Sequence, residues 1–152
     1  MKHIKLNNNI QYPVGMNMQY NLPIIQNMAD LIKKKYKKKD IILWTRGSSG
    51  AIIGGIIASI IPIKAINYVR KPGEISHSKK IYNTNKNVIH IIVDDFIDTG
   101  DTITSIWEEA RKTNKVQALC VTGNVIEKFA NKFNIVFTGY IVKPTEDLKK
   151  LS

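Results

Sequence analysis

The chain has 152 residues, a hydrophobic content of 43% and a formal net charge of +11. This length suits a single domain over residues 1–152 with a real hydrophobic core. No apolar stretch reaches the roughly 18 residues that a membrane span needs, and no apolar signal-peptide core follows the N-terminus, so a membrane protein is not expected. The one cysteine, Cys120, lies in an apolar run. It is predicted to be a buried structural thiol, which fits a reducing cytoplasm.

The positive charge is concentrated where lysines occupy positions 33–35 and 37–39. A basic surface attracts anionic ligands or nucleic acid. However, the sequence has no interleaved aromatic pattern, zinc-ligand spacing or RNA-binding signature to strengthen a nucleic-acid interpretation. The lysine cluster is therefore interpreted as the solvated end of a helix, and nucleic acid is not an expected partner.

The first half of the chain predicts two buried strands with a buried helix between them. Residues 1–20 are polar and have room for one or two short strands. A helix is predicted to open at Pro23, near Leu22, and to keep its apolar side chains on one face up to the lysines. Three segments then follow in order: a strand over 41–44, a helix over 51–61 that Ser48 or Ser49 caps, and a strand over 63–69.

The glycines between the first strand and its helix fall at positions 47, 50, 54 and 55. This spacing matches neither the G-x-G-x-x-G dinucleotide motif nor a P-loop. A polar stretch over 70–87 comes later and begins with Arg70 and Lys71. Stretches of this length are usually lids or disordered insertions, and the sequence leaves both open.

The most informative stretch covers residues 88–102 and reads V-I-H-I-I-V-D-D-F-I-D-T-G-D-T. It predicts a strand buried on both faces, which Asp94 and Asp95 close, and then a Thr/Gly turn that opens a helix. Backbone N–H groups in such a turn, together with the helix start, can hold a phosphate. Because open α/β sheets bind ligands at the carboxyl ends of their strands, the stretch predicts a ligand with a phosphate, hydroxyls and a divalent cation.

The remaining segments complete a regular alternation of strands and helices. A strand is predicted over 116–121, a short helix over 125–133 and a fifth strand over 135–142. Five buried strands that alternate with helices indicate an α/β fold in which a parallel sheet forms the middle of three layers.

Residues 93–102 resemble the phosphoribosyl-pyrophosphate (PRPP) motif of the type I phosphoribosyltransferases, in which a strand and two acids precede T-G-x-T. An ordinary turn with an Asp cap explains neither the acid pair nor both threonines. The resemblance covers roughly residues 41–122. It implies a three-layer parallel sheet with the strand order 3-2-1-4-5 and a small hood subdomain, which residues 1–20 or the tail after 140 would supply.

The resemblance implies a Mg²⁺-dependent glycosyltransferase of the pentosyl class. Such an enzyme transfers the 5-phosphoribosyl group from PRPP to a nucleobase and releases pyrophosphate. A carboxylate beside a phosphate repels it, so the side chain of Asp101 is expected to point away and to cap the helix. The implied site residues are Thr99, Gly100, Asp101 and Thr102 at the 5′-phosphate, Asp94 and Asp95 at the ribose hydroxyls and Mg²⁺, Arg46 and Gly47 at the pyrophosphate, and Arg70, Lys71 and Asp98 as catalytic residues.

The choice of base depends on Asp98, because the family's 6-oxopurine enzymes carry an acid at the matching position of I/V-D-T-G. The Arg70-Lys71 pair resembles instead the loop start of the adenine and orotate enzymes. The orotate enzymes place a lysine where this chain has Glu74 and a histidine one residue before His77. A purine is therefore predicted, with hypoxanthine, guanine or xanthine favoured over adenine, in nucleotide salvage.

Three alternatives remain open at this point. One is an orotate phosphoribosyltransferase. Another is a non-catalytic regulator on the same fold that binds PRPP or a nucleotide and also nucleic acid, and the third is a related enzyme with a non-nucleobase acceptor. A homodimer at least is expected, because type I enzymes usually pair.

Overall fold

The computed structural model describes residues 18–71, 73, 87–95, 100–112, 115–123, 133 and 135–138. Five parallel strands form one sheet in this part of the chain. They are β1 Asp40–Thr45, β2 Ala65–Tyr68, β3 Val88–Asp94, β4 Val116–Val121 and β5 Ile135–Thr138. The strands lie side by side in the order β2-β1-β3-β4-β5. The predicted parallel α/β sheet is confirmed.

The strand order differs from the one that the resemblance implied. Counted along the chain, the implied order puts the third strand at an edge, whereas β3 lies in the centre between β1 and β4. Burial gives the physical reason, since every residue of β3 is buried. A strand that is buried on both faces needs a covered position, while β2 exposes Ile66 and Tyr68 and suits the edge.

Helices cover the two faces of the sheet. The helices α1 Met18–Lys35 and α2 Gly47–Ile60 lie on one face, and α3 Asp101–Ala110 lies on the other. Alternate residues of each strand therefore enter different cores. In β1, Leu43 packs with α1 and α2 whereas Trp44 packs with α3. Three layers result, as predicted.

Two helices begin earlier than the sequence predicted. Helix α1 begins at Met18, so Pro23 lies inside it, where the ring removes one backbone hydrogen bond. Helix α2 begins at Gly47 after Arg46, and the side chain of this N-cap residue makes no capping hydrogen bond. The predicted cap at Ser48 or Ser49 is therefore wrong, because both serines already belong to the helix.

Several predictions lie outside the described residues: the strands within 1–17, the hood, most of the 70–87 stretch, the helix over 125–132 and the end of the fifth strand. The prediction for Cys120 is confirmed, since the side chain is buried and its Sγ lies 3.7 Å from Met28 Sδ. Burial raises the pKa of the Cys120 thiol to about 12, which keeps the group protonated. Among the described residues, no helix is both long enough and apolar enough to cross a membrane.

Candidate active site

The candidate site lies where the chain reverses its direction of travel across the sheet. From β1 the chain passes through α2 to β2 on one side, and from β3 it passes through α3 to β4 on the other. The crossovers diverge between the carboxyl ends of β1 and β3. A crevice at such a switch point is where open α/β sheets bind ligands.

The acid pair closes β3 at this crevice. Asp94 is the last residue of the strand, and Asp95 follows it. Both are buried, with only 6% and 8% of their surfaces exposed. The end of β4 fixes their backbone, because the Thr122 hydroxyl and the Gly123 N–H donate to the Asp95 carbonyl at 2.9 and 2.7 Å. The backbone that carries the acid pair is thus fixed by its contacts with the end of β4.

Burial and mutual repulsion change the protonation of this pair. Desolvation, with the charge of Asp95 as a second cause, raises the pKa of Asp94 from 3.8 to about 8. The Asp95 N–H donates to Asp94 Oδ1 at 2.9 Å, which offsets only part of the effect. At neutral pH the pair therefore keeps one proton. A bound cation would release this proton, because a positive charge favours two ionised carboxylates.

The start of α2 forms a second wall of the crevice. Gly47 has a φ of +80°, a conformation that side chains other than glycine rarely adopt. The Nε atom of Arg46 is buried and has no hydrogen-bond partner among the described residues. A buried guanidinium donor without a partner is costly, so an anionic ligand at the start of α2 would satisfy it.

Tyr68 lies at the candidate site, although no sequence motif predicted it there. Its hydroxyl accepts a hydrogen bond of 3.2 Å from the Gly47 N–H, across the ends of β1 and β2. The hydroxyl proton can still be donated to a ligand. The only sequence signal was its position two residues before Arg70-Lys71, and the pairing between β1 and β2 was needed to connect it to Gly47.

Gly50 joins α2 directly to the acid pair. A Cβ atom at this position would lie 2.9 Å from the Val93 carbonyl oxygen and 3.7 Å from Asp94 Oδ1. The first turn of α2 therefore rests on the backbone of β3 at a distance that only glycine allows. Because of this contact, the helix start and the acid pair keep a fixed relative position.

The start of α3 forms the third wall. Gly100 is the N-cap residue, with a φ of +87°, and no side chain makes a capping hydrogen bond. Asp101 is exposed in the first turn of α3, which agrees with the prediction that its side chain points away, but the N-cap residue is Gly100. The charge of Asp101 still complements the positive end of the helix. Thr102 is half-buried in the same turn.

The predicted site residues that the structure describes lie on the same side of the sheet, at the carboxyl ends of the strands. Arg70 and Lys71 follow β2, whose end is joined to β1 because the Val69 N–H donates to the Thr45 carbonyl at 2.7 Å. The structure thus brings the ends of β1, β2 and β3 and the start of α3 to the same side. Asp98 and Thr99 lie outside the described residues, so their predicted roles stay predictions.

The oxygen donors of the acid pair fit Mg²⁺, which prefers carboxylates and phosphates. In the described ranges no three histidine, cysteine or acidic side chains cluster closely enough to enclose a metal ion alone. Two carboxylates are nevertheless sufficient where a bound phosphate compound supplies the remaining oxygens. The residues present therefore suit a cation that arrives together with its ligand.

No protein-family model and no curated protein matches the sequence. Solved structures do match. The chain is similar to a purine phosphoribosyltransferase from Pyrococcus horikoshii, with a TM-score of 0.60, 16% identity and coverage of 81% of this chain and 84% of that one. An adenine phosphoribosyltransferase from Saccharomyces cerevisiae gives a TM-score of 0.57 and 19% identity, with coverage of 81% of this chain and 80% of that one.

A hypoxanthine-guanine phosphoribosyltransferase from Bacillus anthracis gives a TM-score of 0.57 and 15% identity, with coverage of 83% of this chain and 81% of that one. At these identities the comparison establishes the architecture, which agrees with the resemblance seen at the acid pair and the Thr/Gly turn. The chain has the type I phosphoribosyltransferase fold.

Proposed function

We propose that this protein is a Mg²⁺-dependent phosphoribosyltransferase that transfers the 5-phosphoribosyl group from PRPP to a purine base and releases pyrophosphate. The observation that carries the proposal is the buried pair of Asp94 and Asp95 at the switch point, between the starts of α2 and α3. An acid pair between two helix starts suits a ligand that carries ribose hydroxyls between two phosphate groups. The similar fold of three purine enzymes supports this assignment.

The 5′-phosphate is assigned to the turn from Thr99 to Thr102. Its support is the start of α3, where the first backbone N–H groups have no intrahelical acceptors and the helix dipole favours negative charge. Gly100 permits the left-handed turn that brings the backbone close to such a ligand. The side chain of Asp101 is exposed, so Asp101 is assigned to the phosphate through its backbone N–H.

The ribose hydroxyls are assigned to Asp94 and Asp95, which would also hold Mg²⁺ directly or through water. When bound, Mg²⁺ neutralises negative charge on the pyrophosphate and orients it for departure. The carboxylates themselves accept hydrogen bonds from the two ribose hydroxyls, and this fixes the sugar. Because the β3–β4 contacts immobilise the acid backbone, the ordering cost of forming these bonds is low.

The leaving pyrophosphate is assigned to the start of α2 and to the residues after β2. Arg46 offers a buried donor with no partner in the described residues, and Tyr68 offers a hydroxyl proton. Arg70 and Lys71 add two positive charges at the neighbouring strand end. Negative charge grows on pyrophosphate as the bond to ribose carbon 1 breaks, so donors fixed before the reaction stabilise the transition state.

The acceptor base completes the reaction by forming a bond from a ring nitrogen to carbon 1 and losing a proton. Asp98 is assigned to receive or steer this proton, which for a general base is worth roughly 10²–10⁴-fold in rate. An acid in this position favours a 6-oxopurine over adenine. The stretch over residues 71–87 is proposed to close over the substrates, since a long polar connection that begins at this edge can exclude water.

The test of the proposed function is pyrophosphate release from PRPP and Mg²⁺ with hypoxanthine, guanine, xanthine, adenine or orotate offered separately. We expect turnover with a 6-oxopurine. Asp98→Asn should lower kcat at least about tenfold while PRPP affinity is nearly unchanged. Glu108→Gln, on the exposed side of α3, is the matched control and should act as wild type. Turnover with orotate alone, or no pyrophosphate release with any base, would contradict the proposal.

A further inference from the structure

The side of the sheet at which the strands begin lies opposite the candidate active site and is strongly basic. Parallel strands begin on one edge, and the turns that lead into β1, β2 and β4 all carry lysines there. We call this surface the amino edge. Its basic residues are Lys33, Lys34, Lys35, Lys37, Lys38 and Lys39 before β1, Lys64 before β2, and Arg111, Lys112 and Lys115 before β4.

The sequence alone revealed only the first of these groups, which was interpreted as a solvated helix end. The structure adds Lys64 and Lys115, which are distant in the chain but lie on the same edge. Adjacent strands lie about 4.8 Å apart, so the starts of β2 and β4 are separated by about 14 Å across β1 and β3. Basic residues therefore lie at the starts of three strands of the same sheet.

Few carboxylates offset this charge at the described positions. Asp40 pairs with Lys64 at 2.7 Å, and Glu109 pairs with Lys112 at 2.6 Å. The lysines of the α1–β1 turn and Lys115 are exposed. Lys39 Nζ donates to Asn87 Oδ1 at 3.0 Å, which directs one ammonium group across the start of β3. The amino edge is therefore a polycationic surface with partly fixed geometry.

We propose that the amino edge binds the phosphodiester backbone of duplex nucleic acid without regard to sequence. Duplex DNA carries one charge per about 1.7 Å of its axis with both strands counted, so a length of roughly 14 Å, the span between the outer lysines, carries about eight phosphates, some of which face the protein. Lysine is a point charge that binds phosphate oxygens, and binding of this kind carries no sequence information. The chain's net charge of +11 adds long-range attraction.

The described aromatic side chains near this edge favour a duplex over a single strand. Single strands are held mainly by stacking on exposed rings. The ring of Trp107 is covered by the Arg111 guanidinium at 4.2 Å, and Tyr36 has a buried hydroxyl. Both side chains also pack partly against the hydrophobic cores, so neither is a fully exposed ring.

A membrane surface is the competing polyanion, and the packing of α1 argues against it. A helix that binds at a lipid interface buries an apolar face in the headgroup region. The apolar face of α1, with Ile25, Met28 and Ile32 fully buried, is already covered by the sheet and α2. The exposed side chains in the last turn of α1 are those of Lys33, Lys34 and Lys35.

The test measures binding of a short fluorescein-labelled DNA duplex of mixed sequence by anisotropy, between about 50 and about 200 mM salt, with the full chain. We expect affinity to fall steeply with salt. Replacing Lys35, Lys37 and Lys115 together by glutamine should weaken binding at least about tenfold and reduce the salt slope by about 0.9 for each lost contact. The same three positions changed to arginine keep the charge and should keep the binding.

Both variants alter exposed side chains, so their urea midpoints should match the wild type and confirm folding. PRPP binding should also be unchanged, because the candidate active site is on the other edge. The proposal is overturned if the wild type does not bind the duplex at low salt, or if the glutamine variant binds as tightly as the wild type. Lysine-dependent binding to phosphatidylserine vesicles without duplex binding would replace it by a membrane role.

Discussion

Asp94 provides the sharpest test of the candidate site, because its proton should make the stability of the protein depend on pH. Its folded pKa is about 8, against an ordinary value of 3.8. Between these values the folded state holds a proton that the unfolded state has lost. Raising the pH through this window therefore destabilises the protein, by up to about 1.4 kcal/mol per pH unit, and the effect ends above the folded pKa.

The change to make is Asp94→Asn, which keeps an oxygen to accept the Asp95 N–H but cannot ionise. Urea denaturation from about pH 5 to about pH 7 should show the wild type losing up to about 3 kcal/mol relative to this variant. Asp30→Asn, on the exposed side of α1, is the matched control and should track the wild type. If the stability difference between wild type and Asp94→Asn does not change with pH, the pair holds no proton and the reasoning fails.

The same proton gives a second measurement in the wild type. Binding of Mg²⁺ with PRPP should expel it, since a cation between the two carboxylates favours the ionised pair. Calorimetry at about pH 7 in buffers of different ionisation enthalpy should therefore show release of roughly one proton, and Asp94→Asn should show neither that release nor metal-dependent binding. Metal-dependent binding to the variant would remove Asp94 from the metal site.

Three further predictions concern other parts of the molecule. Gly50→Ala should lower the free energy of unfolding by about 1–3 kcal/mol in urea denaturation, because the new Cβ would lie 2.9 Å from the Val93 carbonyl oxygen. Gly55→Ala places its Cβ in open space and should raise the free energy of unfolding by about 0.5–1 kcal/mol. Equal effects at the two sites would contradict the contact. Tyr68→Phe should raise the inhibition constant of the product pyrophosphate several-fold, which corresponds to the loss of one hydrogen bond of about 1 kcal/mol. An unchanged inhibition constant would exclude the hydroxyl from the site. Light scattering at micromolar concentration should give a homodimer, and a monomer would count against the predicted pairing.

The sequence was most informative where a single stretch contained the whole signal. The apolar run of β3, the acids after it and the start of α3 were predicted correctly, because burial on both faces and helix periodicity are local properties. The position of β3 in the centre was not predicted correctly, since strand order depends on contacts between distant segments. The role of Tyr68 required the pairing of β1 with β2, and no local pattern encodes it.

The start of α2 shows a different limit. Serine is a strong N-cap residue, so Ser48 and Ser49 predicted a helix that begins after them. The helix instead begins at Gly47, and Gly50 in its first turn lies close against the backbone of β3. Tertiary packing outweighed the local capping preference, and the helix start that results is the one assigned to the leaving pyrophosphate.

Trp44 and His90 form a buried pair whose geometry gives the protein an optical property. The Trp44 indole N–H donates to His90 Nδ1 at 3.1 Å, so the neutral imidazole carries its proton on Nε2. Trp44 is fully excluded from water, whereas Trp107, the second of the chain's two tryptophans, is only partly covered. The two indoles should therefore fluoresce at different wavelengths. Because Trp44 directly precedes Thr45-Arg46, its blue-shifted emission provides a label-free report on the strand end that is proposed to receive pyrophosphate.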